Sequence, residues 1–193
     1  ISKHIYSTTD VIFLAGCEKN LDQYVDGNYK RPELPEEPFR YTLSDATDIP
    51  EHINSFPLNN VSTQITNDGA TLGRVLFYDK ALSINNATSC GSCHKQNLGF
   101  ADNVAFSTGF NTGQTKRNSP SCVNMVFNRS YFWDGRAKTL EEQVLMPVAD
   151  HIEMGLDDHE YLVKKVESLD YYEQLFKNAF GSPTVTPTLI SSA

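Results

Sequence analysis

The sequence predicts an all-α domain with long loops, preceded by an extended N-terminal segment. Apolar residues recur at helical spacing in several separate stretches, and residues that start or end helices bound these stretches. The segment ahead of them is rich in proline and lacks a helical period. The chain has 193 residues, of which 39% are hydrophobic, which is enough for one compact core.

The first predicted helix lies ahead of a cysteine-containing motif. Leu72, Val75 and Leu76 share one helical face in this stretch, so a core helix is expected. Residues 107–121 are rich in Gly, Asn, Thr and Ser, and they are predicted to form a loop.

Further helices follow in the second half of the chain. Thr139 to Glu142 form a capping box, which opens a short helix that we expect Pro147 to end. Three later helix starts are predicted at Asp158, at Asp170 with Gly181 as the stop signal, and at Thr186 followed by Pro187.

The chain divides into three ranges. Residues 1–17 end in Leu14-Ala15-Gly16-Cys17, which is similar to the lipobox of bacterial lipoproteins. In lipoproteins this cysteine carries the lipid, so we expect a signal region and an anchor through Cys17, with an ordinary cysteine as the alternative. Residues 18–67 are expected to form an extended Pro-rich strap, and residues 68–193 the helical domain.

The formal net charge of −8 argues against binding to nucleic acid. A protein that binds a duplex needs a basic face to displace counterions. An acidic surface suits a basic redox partner or none.

The sequence Cys90-Gly91-Ser92-Cys93-His94 is typical of covalent haem attachment. Two thiols at this spacing form thioethers with the vinyl groups of a haem, while the adjacent histidine binds the iron. A redox dithiol and half of a zinc site are the alternatives, but the sequence lacks a βαβ setting and a second Cys/His pair. We therefore expect one c-type haem on Cys90, Cys93 and His94.

The second axial position of the iron distinguishes an electron carrier from a catalyst. A sixth protein ligand makes an electron carrier, whereas an open position binds peroxide. Met125, Met146 and Met154 are candidate sixth ligands.

Several motifs resemble the bacterial di-haem cytochrome c peroxidase family, which includes the methylamine-utilisation di-haem enzymes. They are L-G-R-V-L-F-Y-D at 72–79, the C-x-x-C-H at 90–94, R-N-S-P at 117–120, W-D-G-R at 133–136, L-E-E-Q at 140–143 and E-M-G at 153–155. The resemblance covers about residues 68–190, and it implies the N-terminal peroxidatic domain of the family, with a cytochrome c-like fold.

The resemblance also assigns roles to four residues. Gln143 and Glu153 match two residues of the family's distal pocket, and Trp133 matches a tryptophan between the two haems. Asn118 matches a residue that helps to bind calcium at the domain junction. Independently of the family, a buried carboxylate can move a proton between peroxide oxygens, and an amide can orient peroxide without ionising. Glu153, Gln143 and Trp133 are therefore the candidate catalytic residues.

The function implied by the resemblance is the reduction of hydrogen peroxide to water with electrons from a small cytochrome c or cupredoxin. Oxidation of side chains on a partner protein and plain electron transfer are the alternatives. Haem is attached outside the bacterial cytoplasm in the family, so a periplasmic or outer-surface location is expected. For the full-length protein, a homodimer and a monomer both stay open.

The sequence departs from the family pattern in two ways. A histidine sixteen residues after the motif caps the resting iron in classical members, whereas this chain has Phe110, which favours an open iron with His151 as the rival ligand. The family also has a second C-x-x-C-H, so we expect a second haem domain after residue 193, a frayed natural end being the alternative. Cys122 is interpreted as a small buried hydrophobic residue.

Overall fold

The computed structural model describes Pro32, Leu34, Arg40 and residues 65–193. The predicted lipobox at Cys17 and most of the predicted strap lie outside the described residues. Leu34 is half-buried and packs against the helical core. This residue of the Pro-rich segment therefore lies on the domain.

The described part of the chain contains six helices and no β-strand, which confirms the all-α prediction. None of these helices is long and apolar enough to cross a membrane. The helices are α1 (Asn67–Tyr78), α2 (Cys90–Cys93), α3 (Leu140–Ala149), α4 (His159–Glu167), α5 (Asp170–Phe180) and α6 (Pro187–Ser191). Single 3₁₀ turns lie at Lys80–Leu82, Gln96–Leu98 and Met125–Phe127.

The core forms where α1 lies against α5. Leu72 and Leu76 are buried on one face of α1, as the sequence predicts, and Phe176 of α5 is fully buried beside them. Burying one such side chain contributes about 1.5–3 kcal/mol. Thr66 caps the start of α1, since its hydroxyl oxygen accepts a hydrogen bond from the Gly69 N–H at 3.0 Å.

Asp79 ends α1 and ties it to α5. Its buried carboxylate accepts hydrogen bonds from the Ala81 N–H at 2.9 Å and from the hydroxyl groups of Tyr171 and Tyr172. A buried carboxylate is costly unless donors surround it. These three donors fix the direction of the chain as it leaves α1 towards Cys90.

The predicted caps at Thr139 and Asp158 are confirmed, whereas Asp170 is the first residue of α5 and Leu169 holds its N-cap position, and one predicted end is wrong. The hydroxyl oxygen of Thr139 accepts from the Glu142 N–H at 3.1 Å, and the Asp158 carboxylate accepts from the Tyr161 N–H at 2.7 Å. Pro147 does not end α3, which continues to Ala149. Proline lacks its own N–H donor, yet its carbonyl still accepts, here from the N–H of the cap residue at 3.3 Å.

The side of the domain between α2 and α3 is built from loops. The prediction of a loop over residues 107–121 is confirmed. Three isolated antiparallel bridges close the loops of this region: Lys95 with Ala101, Thr108 with Gln114, and Tyr131 with Ala137. Most of the residues that the sequence marks as chemically important lie on or beside these loops.

Candidate haem-binding site

Helix α2 presents the two cysteines of the motif. It is a single turn, so Cys90 and Cys93, three residues apart, lie on the same side of it. Both are half-buried free thiols. Gly91 is required between them, because a Cβ at that position would lie 2.6 Å from the ring of Tyr78. The tight contact with α1 therefore fixes where the thiols lie.

The imidazole of His94 is oriented by backbone carbonyl groups. Its Nδ1 lies 3.0 Å from the carbonyl oxygen of Phe100 and 3.0 Å from that of Pro120. A carbonyl oxygen only accepts hydrogen bonds, so Nδ1 carries the hydrogen and Nε2 keeps the free lone pair. Hydrogen bonds from Nδ1 to backbone carbonyl groups fix the orientation of a histidine that binds a metal through Nε2.

These residues fit a covalently attached haem. Burial raises the pKa of the Cys90 thiol to about 12, with a smaller contribution from the neighbouring Cys122. Burial also raises the pKa of Cys93. A reactive dithiol has a lowered thiol pKa, so the redox-dithiol alternative is disfavoured. Cys90 and Cys93 would hold the haem through thioethers, and His94 would bind its iron.

Glu153 lies in the turn that follows α3. The Asp150 carboxylate accepts a hydrogen bond from the Glu153 N–H at 3.2 Å, which fixes this turn. Burial and the negative charge of Asp150 raise the pKa of the Glu153 carboxyl group, and Arg136 opposes them. The charge of Glu153 also raises the pKa of both thiols of the motif. The carboxyl group therefore lies within electrostatic reach of the haem-attachment residues.

The loop that contains Phe110 packs directly on this turn. The Phe110 N–H donates a hydrogen bond to the Glu153 carbonyl oxygen at 3.0 Å. A Cβ on Gly109 would overlap the carbonyl oxygen of Ile152, and one on Gly155 would overlap the Phe110 ring. Two glycines thus allow the close contact, and the side chain at position 110 is a hydrocarbon ring without a ligand atom.

Trp133 and Asn118 lie side by side at the surface. The Trp133 side chain is 65% exposed, and its Nε1–H donates a hydrogen bond to the Asn118 carbonyl oxygen at 2.8 Å. The Asn118 side-chain nitrogen donates to the Val104 carbonyl oxygen at 2.7 Å. The residue predicted to lie between two haems and the residue predicted to bind calcium are therefore direct neighbours.

Ion pairs hold the turn that carries Trp133. Asp134 pairs with Arg117 and with Arg136, each at 3.0 Å. The Arg136 guanidinium also lies 3.4 Å from the centre of the Phe132 ring. Exposed pairs contribute little to stability, so these contacts mainly fix the shape of the turn.

The remaining predicted site residues lie on or near α3. Gln143 is half-buried on this helix, and His151 is exposed just after it. Among the candidate methionine ligands, Met154 is buried in the hydrophobic core, whereas Met146 is 36% exposed. The rival histidine therefore faces solvent, and Met154 is a core residue.

Cys122 is the site residue whose position the sequence did not reveal. Its Sγ lies 3.1 Å from Nδ1 of His94, so it is a third neighbour of this nitrogen. Cys122 is half-buried, which agrees only in part with the interpretation as a buried hydrophobic residue. Its place two residues after Pro120, in the segment that approaches the histidine, is the one signal that the sequence offers.

An all-α fold, a C-x-x-C-H motif on a short helix and a histidine held through Nδ1 together define a c-type haem domain. The family model of the di-haem cytochrome c peroxidases matches residues 67–193. The chain therefore belongs to this family, as the resemblance in the sequence implied, and haem c is the cofactor of the family.

Known relatives include peroxidases and methylamine-utilisation proteins. The chain is 42% identical over 126 residues to the cytochrome c551 peroxidase of Nitrosomonas europaea, which covers 65% of this chain and 37% of that protein. It is 35% identical over 120 residues to the methylamine utilization protein MauG of Methylorubrum extorquens. This match covers 61% of this chain and 33% of that protein.

Solved structures show the same fold. A MauG-like protein associated with microbial copper homeostasis superposes with a TM-score of 0.63 and 31% identity, over 77% of this chain and 45% of that one. The diheme peroxidase BthA of Burkholderia thailandensis superposes with a TM-score of 0.56 and 26% identity, over 68% of this chain and 37% of that one. The chain thus spans about a third to a half of the length of these relatives.

Proposed function

We propose that this chain is the peroxidatic haem domain of an enzyme that reduces hydrogen peroxide to water. The reaction joins one H₂O₂ with two protons and two electrons and releases two water molecules. Peroxidases among the relatives support this proposal. The single observation that carries it is the half-buried Glu153 carboxyl group, with its raised pKa, within electrostatic reach of the haem-attachment motif.

The chain's own residues would move the proton. A haem held by Cys90, Cys93 and His94 would supply the redox centre at which the O–O bond is cleaved. Glu153 would take a proton from one peroxide oxygen and deliver it to the other, which then leaves as water. A group with this task must accept and release a proton at working pH, and a raised carboxyl pKa favours that.

Three other residues would assist this step. Gln143 would orient the peroxide through hydrogen bonds without ionising. Phe110 would keep the sixth position of the iron open, since its side chain offers no ligand atom. Trp133 would pass electrons, because its exposed ring is fixed at the surface by the hydrogen bond to Asn118.

Several expectations about the whole protein belong to the same proposal. A small cytochrome c or cupredoxin would donate the electrons, and the acidic chain favours a donor with a basic face. A second haem, calcium at Asn118 and a homodimer would complete the full-length enzyme. The location would be periplasmic or outer-surface, with a lipid anchor if Cys17 is the lipoprotein cysteine.

Oxidation of a partner protein is a second candidate function. The similarity to MauG favours it, and so does the exposed Trp133, which could carry electrons from a docked protein. Rapid oxidation of a reduced small cytochrome by peroxide would support the first function. Oxidation of protein side chains without such a donor would support the second.

The test is a comparison of three haem-loaded proteins: the unchanged chain, Glu153→Gln and the control Glu160→Gln. Glu160 is exposed on α4. Optical and EPR spectra of the ferric state are recorded before and after hydrogen peroxide is added.

We expect a high-spin ferric spectrum that changes rapidly with peroxide. The change should slow about 100-fold in Glu153→Gln, in line with the usual contribution of a general acid–base group, and stay the same in the control. A low-spin spectrum that does not change when peroxide is added would refute the proposal and would indicate an electron-transfer cytochrome instead. Equal rates in all three proteins would remove Glu153 from the mechanism.

A further inference from the structure

A buried polar cluster lies beside the haem-attachment residues. It consists of Asp102, Ser107 and Ser119, and is called the serine–aspartate cluster here. The Asp102 side chain is 3% exposed, and Ser107 and Ser119 are buried. Asp102 accepts a hydrogen bond from the Ser107 hydroxyl at 2.7 Å and pairs with Lys95 at 2.7 Å. The proposed function gives this cluster no role.

The direction of each hydrogen bond in the cluster follows from chemistry. Burial acts to raise the pKa of Asp102, but hydrogen bonds from Lys95 and Ser107 lower it below its ordinary value. The ionised carboxylate only accepts, so Ser107 uses its one hydrogen on Asp102. The oxygens of Ser107 and Ser119 are 2.9 Å apart, and Ser119 must therefore donate to Ser107. The hydroxyl groups form one ordered chain that ends on the carboxylate.

The cluster joins the two segments that orient His94. Phe100 and Pro120 supply the carbonyl oxygens that accept from Nδ1 of His94. Asp102 follows Phe100 by two residues, and Ser119 directly precedes Pro120. The N–H of Asp102 also donates to the carbonyl oxygen of Ser119 at 3.4 Å. The cluster thus fixes the separation of the two carbonyl groups.

We propose that Asp102, Ser107 and Ser119 are positioning residues that set the reduction potential of the haem iron through His94. A carbonyl group that accepts from Nδ1 increases the electron density at Nε2. A more electron-rich ligand stabilises ferric over ferrous iron, which lowers the potential. The proposal needs a bound haem, as in the proposed function, but it does not depend on peroxide as the substrate.

The test is the midpoint potential of the haem-loaded chain, measured without peroxide in the variants Ser107→Ala, Ser119→Ala and Asp102→Asn. The control is Ser168→Ala, which also removes one hydrogen bond from a serine hydroxyl, here at the end of α4. Each variant in the cluster should raise the ferrous-to-ferric ratio at a fixed ambient potential about threefold. This corresponds to an upward shift of about 28 mV at 59 mV per tenfold change.

Ser119→Thr keeps the hydroxyl group and should restore the original potential, while the control should not change it. Unchanged potentials in both serine variants would overturn the proposal. A shift in Asp102→Asn alone would do the same, because the charge and not the geometry would then be responsible. If Ser107→Ala fails to fold, the result for Ser119→Ala decides, because Ser119 is the first donor of the hydroxyl chain. Failure of the peroxide reaction alone leaves this result unaffected, so the two proposals fail separately.

Discussion

We expect the stability of the protein to rise between pH 7 and pH 9, and replacing Lys165 with methionine should abolish this rise. The Nζ of Lys165 donates a hydrogen bond to the Ser83 carbonyl oxygen, which ties α4 to the chain ahead of the haem motif. Burial lowers the pKa of Lys165 from 10.5 to about 8, and the charge of Asp79 opposes this shift. Between these two pKa values the unfolded chain binds more protons than the folded one, so stability rises with pH.

The size of the rise follows from the two pKa values of Lys165. Between pH 7 and pH 9 the folded lysine loses its proton, while the unfolded lysine keeps it. At pH 9, one unit above the folded pKa, this difference in proton binding raises the free energy of unfolding by about 1.4 kcal/mol. Partial exposure reduces this to about 0.7 kcal/mol. The measurement stops at pH 9 because of Cys122. Burial raises the pKa of this thiol from 9.0 to about 11, so between these two values Cys122 lowers the stability as the pH rises.

The assay is urea unfolding of the haem-loaded protein at pH 7 and pH 9, followed by circular dichroism. The neighbouring Lys164 is exposed on the same helix, so Lys164→Met is the control and should keep the rise. The same rise in Lys165→Met, or none in the unchanged protein, would refute the reasoning. The first result would mean that another group titrates, and the second that the lysine stays hydrated.

Two further substitutions test the packing of α1. Leu72→Ala removes a fully buried side chain and should lower the free energy of unfolding by about 2–5 kcal/mol in urea; a loss below about 1 kcal/mol would contradict its place in the core. Tyr172→Phe removes one donor to the buried Asp79 carboxylate and should cost about 1–3 kcal/mol, with no change in the haem spectrum. An altered spectrum with full stability would place Tyr172 at the haem instead.

The sequence predicted the helices best where local chemistry decides them. The apolar face of α1 and the caps at Thr139 and Asp158 are short-range features, and the structure confirms each of them. The end of α3 was missed because a proline in the last helical turn still offers its carbonyl to the following cap residue. The pairing of residues within the loops could not be predicted either, because these bridges form between backbone groups, which leave no pattern in the side chains.

The candidate site shows the same division. The motif identifies Cys90, Cys93 and His94 directly, because the chemistry of haem attachment needs those side chains in that order. The groups that orient His94 are carbonyl oxygens of Phe100 and Pro120, and a carbonyl is present at every residue. Only the folded chain shows which carbonyls approach the ring. The roles of Glu153, Gln143, Trp133 and Asn118 stay predictions, and the experiments above test the first of them.

The contact between the Phe110 loop and the Glu153 turn bears on which side chains position 110 can carry. The loop is attached through the N–H of residue 110 and by the close approach of Gly109 to the Ile152 carbonyl group, and any residue except proline provides that N–H at position 110. Only the contact of Gly155 involves the Phe110 ring itself. A histidine at this position would keep the backbone hydrogen bond that Phe110 makes to the Glu153 turn. The side chain at position 110 can therefore vary while the hydrogen bond to the Glu153 carbonyl oxygen stays in place.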